Sequence, residues 1–218
     1  PGKLVSLDGA LRHSGDDRTG DLDGDDGLDN EIISVDLGTN QLWFSTIDER
    51  SKKFVFSVQK TLQMEKAAGP RHLVFHPNKK WIYVLNELNN TISLVQKMPS
   101  LYKIISTVSM IPRDYTTYTI GADIHVSSDG EFLYASNRGH NSIAIFKVDN
   151  IEGNLELVGF ESVKGENPRN FSLTPDNKFL VVANQDSNNI VSFRRDLKIG
   201  KLTFVSEIKA PNPVCLLF

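Results

Sequence analysis

The chain has 218 residues, with 24 Lys and Arg against 27 Asp and Glu, so its formal net charge is −3. Hydrophobic residues make up 39% and charged ones 23%, the balance of a soluble globular protein with no apolar run near the ~18 residues of a membrane helix. No leader pattern opens the chain, and the evenly mixed charge gives neither nucleic acid nor an anionic membrane an electrostatic foothold.

In chain order, Gly2-Lys3-Leu4-Val5 matches Gly200-Lys201-Leu202-Thr203 and reads as an outer strand. Residues 16–31 form an acidic irregular segment, expected to be a solvated, disordered loop. Tested as a calcium loop from Asp21, it places Asp26 where glycine is needed and Ile32 where the closing glutamate belongs, so it fails. Strand patterns begin after it. Three segments then align without gaps: Arg71–Asn86, Ala122–Asn137 and Arg169–Asn184. Each is a short apolar run, a polar turn (at Pro77-Asn78, Ser128-Asp129-Gly130 or Pro175-Asp176-Asn177) and a second apolar run ending in Asn. A third run follows, at Thr91–Val95, Ser142–Phe146 or Asn189–Phe193, and a fourth closes each period. A partial copy upstream, Val35–Phe44, carries Asp36 in place of the marker Asn86.

The markers Asp36, Asn86, Asn137 and Asn184 lie 50, 51 and 47 residues apart. Four short strands per period, rich in β-branched and aromatic residues and cut by Asn, Asp, Gly and Pro, predict an all-β fold. The architecture expected is a β-propeller with four-stranded antiparallel blades. Blades are expected at about 32–66, 69–112, 121–164 and 167–209, within one partial propeller domain over 1–218. Residues 213–218 read as a closing inner strand, and Cys215 within it as a core residue. As the only cysteine, Cys215 allows no internal disulfide and no multi-cysteine zinc site, and it suits a cytoplasmic setting. An arc of about four blades leaves sheet edges open, so the chain is expected to be part of a longer one. The missing blades would come from the rest of the native chain or from a partner, a homo-oligomer among the options.

Several motifs in order carry a resemblance. They include Gly69-Pro-Arg-His-Leu-Val-Phe-His-Pro77, Asn86-Glu-Leu-Asn-Asn-Thr91, Ala122-Asp-Ile-His-Val-Ser127 and Ala135-Ser-Asn-Arg-Gly-His-Asn-Ser-Ile-Ala144. With Asn167-Pro-Arg-Asn-Phe171 and Pro213-Val-Cys215, they resemble the lactonase family of seven-bladed propellers over about residues 32–218. Weaker similarity extends to Leu11-Arg-His-Ser-Gly15. The resemblance implies about four blades of seven. It also implies a lactone hydrolase of the 6-phosphogluconolactonase type, using cofactor-free acid–base chemistry and no metal on a small anionic lactone. Carboxymuconate lactonization is the alternative within that family, and a non-catalytic interaction platform is the alternative outside it. The family carries a His-x-His pair on the inner strand before the Asp36-Leu37-Gly38 motif, and one of those histidines is implicated in catalysis. Residues 16–31 contain no histidine.

Candidate site residues are those that break the repeat with charge. After the marker the copies carry Leu37, Glu87, Arg138 and Gln185, and the inner strands start at Arg71, Ala122 and Arg169. Packing alone would favour similar residues in each copy; differing charges at equivalent positions point to a shared asymmetric pocket. Arg71, Glu87 and Arg138 match the family's active-site positions. Guanidinium groups suit an anionic substrate and a tetrahedral oxyanion, and Glu87 is the candidate general base or acid; the competing reading is a structural ion-pair network. His140, in the turn after Arg138, is the candidate proton shuttle. Arg169, Asp123 and His72 are candidate substrate contacts, although strand alternation points His72 away from Arg71. His125 and His76 are expected to pack or cap turns. Asn170, Gln185 and Asp186 lie near the predicted pocket, with structural roles as their default, and the marker residues are expected to bond the turns that follow them.

Overall fold

The computed structural model describes residues 31–48 and 50–218, which form fifteen strands and no helix. The predicted strand over residues 2–5, the similarity at residues 11–15 and most of the acidic segment, residues 16–30, lie outside the described residues.

The first sheet has three strands, β1 (Glu31–Asp36), β2 (Gln41–Asp48) and β3 (Lys53–Gln63). Glu31 was expected in the irregular segment. It instead opens β1, where its Oε2 accepts bonds from Tyr102 Oη at 2.5 Å and Lys97 Nζ at 3.0 Å. The second sheet comprises β4 (Pro70–Phe75), β5 (Trp81–Asn86), β6 (Thr91–Lys97) and β7 (Tyr102–Ser109). The third comprises β8 (Ile120–Val126), β9 (Phe132–Arg138), β10 (Ser142–Val148) and β11 (Leu155–Ser162). The fourth comprises β12 (Pro168–Leu173), β13 (Phe179–Asn184), β14 (Asn189–Arg195) and β15 (Leu202–Lys209). Every pairing is antiparallel between chain neighbours, and the first strands β4, β8 and β12 lie side by side. These are the blades of a β-propeller, with their inner strands converging.

Turn chemistry explains the repeat. Between the first two strands of the second to fourth sheets, Asn78, Asp129 and Asp176 each accept, through Oδ1, the amide two residues on. These are Asx turns, in which the side chain stands in for a backbone carbonyl. After each marker, Asn40, Asn90, Asn141 and Asn188 adopt left-handed φ of 52–59°, which Asn tolerates better than most residues. Each also reaches the chain entering the next blade. Gly69, Asn167 and Asn212 donate their amides to Asn40, Asn141 and Asn188, while Asn90 Nδ2 donates to Thr119 O. One asparagine per blade therefore shapes a hairpin and fixes the crossover to its neighbour.

The core lies between sheets, not within them. Leu42, Phe44 and Met64 of the first blade pack on Ile82, Val84 and Tyr102 of the second. Tyr83, Leu85 and Leu94 pack on Leu133, Ala144 and Phe146, and Tyr134 and Ile145 pack on Phe171, Val182 and Phe193. Strands β5 and β9 are therefore apolar on both faces, and five of the six β5 residues are hydrophobic although strands exposed on one side alternate. Tyrosines pin adjacent blades, with Tyr83 Oη donating to Gly153 O and Tyr134 Oη to Gly200 O, each at 2.8 Å. Both glycines have positive φ, 76° and 71°, and a Cβ on either would strike an aromatic ring, that of Trp81 or Phe132.

Two expectations change. Residues 213–218 form no strand ladder, because among the described residues no second strand of their blade pairs with them. Two bonds still hold the segment at an inner-strand position, Asn212 N to Asn188 Oδ1 and Leu216 N to Asn170 Oδ1. Cys215 is accordingly exposed instead of lying in the core.

The markers also divide. Asp36 bonds its turn through the amides of Gly38 and Thr39, as expected. Asn86 and Asn137 reach across the turns that follow them to the Thr91 and Ser142 hydroxyls, Asn86 donating also to Ser93, while Asn137 and Asn184 donate back to Met110 O and Val163 O at the end of the preceding blade.

Candidate active site

The site is built on a backbone irregularity repeated in three blades. Pro70 pairs with Asn86 and His72 with Leu85, so Arg71 is an extra residue in β4. Arg169 is extra in β12 in the same way, and in β8 the ladder skips from Gly121 to Ile124 across Ala122 and Asp123. A bulge of this kind bends the strand and re-aims its side chains. Alternation predicted that Arg71 and His72 point apart. The bulge sends both to β8, where Arg71 Nε donates to Ala122 O at 2.9 Å and His72 Nδ1 meets Asp123 Oδ1 at 2.9 Å.

The first cluster is a chain of charge. Glu87 is fixed through its backbone, its N–H donating to Gly69 O and its carbonyl accepting from Gly121 N. Its Oε2 accepts from Arg71 Nη1 at 2.8 Å and its Oε1 from Arg138 Nη2 at 2.7 Å, with all three side chains only 12–13% exposed. Arg138 Nη2 also donates to Gly121 O, but its Nε is buried without a partner. Burial, with repulsion from Arg71 and Arg169, draws the Arg138 guanidinium below its ordinary pKa, and attraction to Glu87 works against that shift. Arg169 is half-buried and makes no ion pair among the described residues. Three guanidinium groups against one carboxylate leave a net positive site with unused donors, the electrostatic form of an anion receptor.

The second cluster centres on Asp123, 4% exposed. Its Oδ1 accepts from His72 and from Ile124 N; its Oδ2 accepts from Asn170 Nδ2 at 2.6 Å, Phe171 N at 3.3 Å and His125 Nε2 at 3.3 Å. Burial alone would raise this carboxyl, yet charge and hydrogen bonds from His125 and His72 hold it below the usual carboxylate range. Asp123 therefore ties three neighbouring inner strands together. Among the described residues no His, Cys, Asp and Glu converge in a metal-holding arrangement.

The other candidates fall elsewhere. His140 lies in an aromatic niche between Tyr115 and Phe160, its Nδ1 2.6 Å from Ser142 Oγ, and burial lowers its pKa. It bonds to neither Glu87 nor Arg138. His76 caps its turn, accepting from Asn78 N and bonding Gly130 O, and His125 packs edge-on to Phe171. A recess of about 310 Å³ between the third and fourth blades shares Arg138 with the first cluster and is lined further by Tyr118, Asn141, Glu166, Asn167 and Asp186. Sequence reasoning missed Glu166 and Tyr118 because the turns that bring them to Arg138 carry no repeat-breaking signal.

The comparisons with known proteins agree with the fold. The family model described as "Lactonase, 7-bladed beta-propeller" matches residues 25–218. The chain is 38% identical to the 6-phosphogluconolactonase of Bacillus subtilis over 192 residues, covering 87% of this chain and 54% of that protein. It is 46% identical over 179 residues to the 6-phosphogluconolactonase of Formosa agariphila, covering 80% of this chain and 50% of the relative. Among solved structures, the periplasmic gluconolactonase of Pseudomonas aeruginosa superposes with a TM-score of 0.80 at 26% identity, over 84% of this chain and 52% of the other. The chain thus spans about half the length of the curated relatives it matches. With its bladed sheets, converging inner strands and matching motifs, the chain belongs to the lactonase family of seven-bladed β-propellers.

Proposed function

We propose that the protein hydrolyses an anionic sugar lactone, of which 6-phosphogluconolactone is the type. The observation that carries the reading is the Arg71–Glu87–Arg138 chain, beside which, among the described residues, Arg169 makes no ion pair and Arg138 Nε has no hydrogen-bond partner. Glu87 spaces and orients two guanidinium groups, leaving N–H donors for an anionic oxygen. Such donors, already in place before the reaction, bind the ground-state anion and stabilise the oxyanion that forms when water adds to the lactone carbonyl. Two relatives named 6-phosphogluconolactonase support the same substrate class.

The recess beside Arg138 favours a sugar over a carboxylate-rich muconate. Glu166 and Asp186 on its wall can accept hydrogen bonds from sugar hydroxyls, which a muconate does not carry. The test is hydrolysis of 6-phosphogluconolactone by the full-length protein, with carboxymuconate as the competing substrate. Turnover above spontaneous hydrolysis that collapses in Arg138→Ala supports the reading; turnover of carboxymuconate alone overturns it. Cys215 suits the cytosol, whereas the Pseudomonas neighbour is named as periplasmic, so fractionation of the native host decides the compartment.

A further inference from the structure

Hydrolysis needs a group that takes a proton from water, and in the charge chain the one carboxylate is already shared between two guanidinium groups. Each Glu87 oxygen already accepts one guanidinium N–H, so a water bonded there would share its acceptor with an arginine. His140 is turned into its aromatic niche and bonded to Ser142. His72 is placed differently. It follows Arg71 directly, the bulge directs both to the same neighbouring strand, and its side chain is 23% exposed.

Its tautomer follows from the network. Asp123 accepts bonds from two backbone amides and the Asn170 amide, so it is an ionised acceptor, and His72 Nδ1 must be the donor to it. The lone pair is therefore on Nε2; among the described residues the ring's one hydrogen bond is the one Nδ1 makes to Asp123. A carboxylate behind one imidazole nitrogen with the other free is the arrangement of a general base.

We propose that His72 is the general base of the lactonase reaction and that Asp123 is its positioning residue, an assignment that rests on the lactonase reading. His72 Nε2 takes a proton from water as the water oxygen bonds to the lactone carbonyl carbon. The carbonyl oxygen becomes an oxyanion held by the guanidinium groups. On collapse the bond between the carbonyl carbon and the ring oxygen breaks, and the Nε2 proton passes to that ring oxygen. Lactone and water become the open hydroxy acid, and the base is restored.

The test uses His72→Asn in the full-length protein, because the Asn amide can replace Nδ1–H as donor to Asp123 while the ring Nε2 is lost. We expect kcat to fall by about 10²–10³-fold, KM to change by less than about threefold, and the acid limb of the kcat profile to disappear, with the melting temperature nearly kept. Asp123→Asn should lower kcat at least about tenfold, and the double variant should be little worse than His72→Asn alone, because residues acting as one unit are non-additive. Multiplying effects would show Asp123 acting on the fold and overturn its role. A kcat for His72→Asn within about twofold of the unmodified protein overturns the His72 assignment and leaves the lactonase reading standing. An unmodified protein with no turnover above background overturns both.

Discussion

Arg138 shows how a single residue can be both well held and incompletely satisfied. One nitrogen serves Glu87 and Gly121 while Nε is buried and, among the described residues, unpartnered, a condition that costs stability. Arg138→Ala should therefore lower kcat/KM for an anionic lactone by about 10²–10³-fold, measured by the pH-indicator assay of lactone opening, while the melting temperature falls little. Asp123 gives a pH prediction of definite sign. Its folded pKa lies below the ordinary 3.8, so its contribution to stability is complete above that value. That contribution is lost as the pH falls from 3.8 toward the depressed pKa. Urea unfolding at pH 7 and pH 3 should show a stability difference between the unmodified protein and Asp123→Asn that is full at neutral pH and smaller in acid.

At the scale of the element, the hairpins and crossovers depend on a few backbone positions. Asn90 has φ of 54° and donates to Thr119 O at 2.9 Å. Asn90→Ala loses the bond and strains the left-handed backbone, so it should cost about 2 kcal/mol or more, whereas Asn90→Gly keeps the backbone and should cost less; denaturant midpoints order the two. Gly153→Ala should be worse, at about 2–4 kcal/mol, because its Cβ would lie 2.5 Å from the Trp81 ring at positive φ. These elements were legible in the sequence for a physical reason: strand alternation, turn residues and the marker asparagines repeat at a fixed interval. The bulges were not legible. Arginine stands at two of them, Arg71 and Arg169, but Ala122 and Asp123 at the third, so no single pattern announces them, and simple alternation consequently turned His72 the wrong way. The exposure of Cys215 was also hidden, since an apolar pattern records what a strand would bury and not whether a partner strand lies beside it.

Across the whole molecule the stabilising contacts belong to pairs of blades. Phe146 lies in the cluster joining the second and third sheets and is fully buried. Phe146→Ala should cost about 3–5 kcal/mol, and tryptophan fluorescence and far-ultraviolet circular dichroism should report one shared loss of midpoint, since Trp81 is in the same cluster. The charge pattern of the site was readable in Arg71, Glu87 and Arg138 because they depart from a strict repeat. Its second half, the His72–Asp123–Asn170 seam, was not, because the meeting of three strands depends on register and bulge.

The bulge at the heads of β4, β8 and β12 has a lasting consequence. It is a property of the main chain, present whether the residue there is arginine or alanine, so it sets where a side chain is delivered without prescribing which one. The residue there lies outside the ladder pairs and the interblade clusters, so the packing of the blades places no demand on its chemistry. One scaffold can thereby drift among substrates through a handful of substitutions, each tolerated before it is useful.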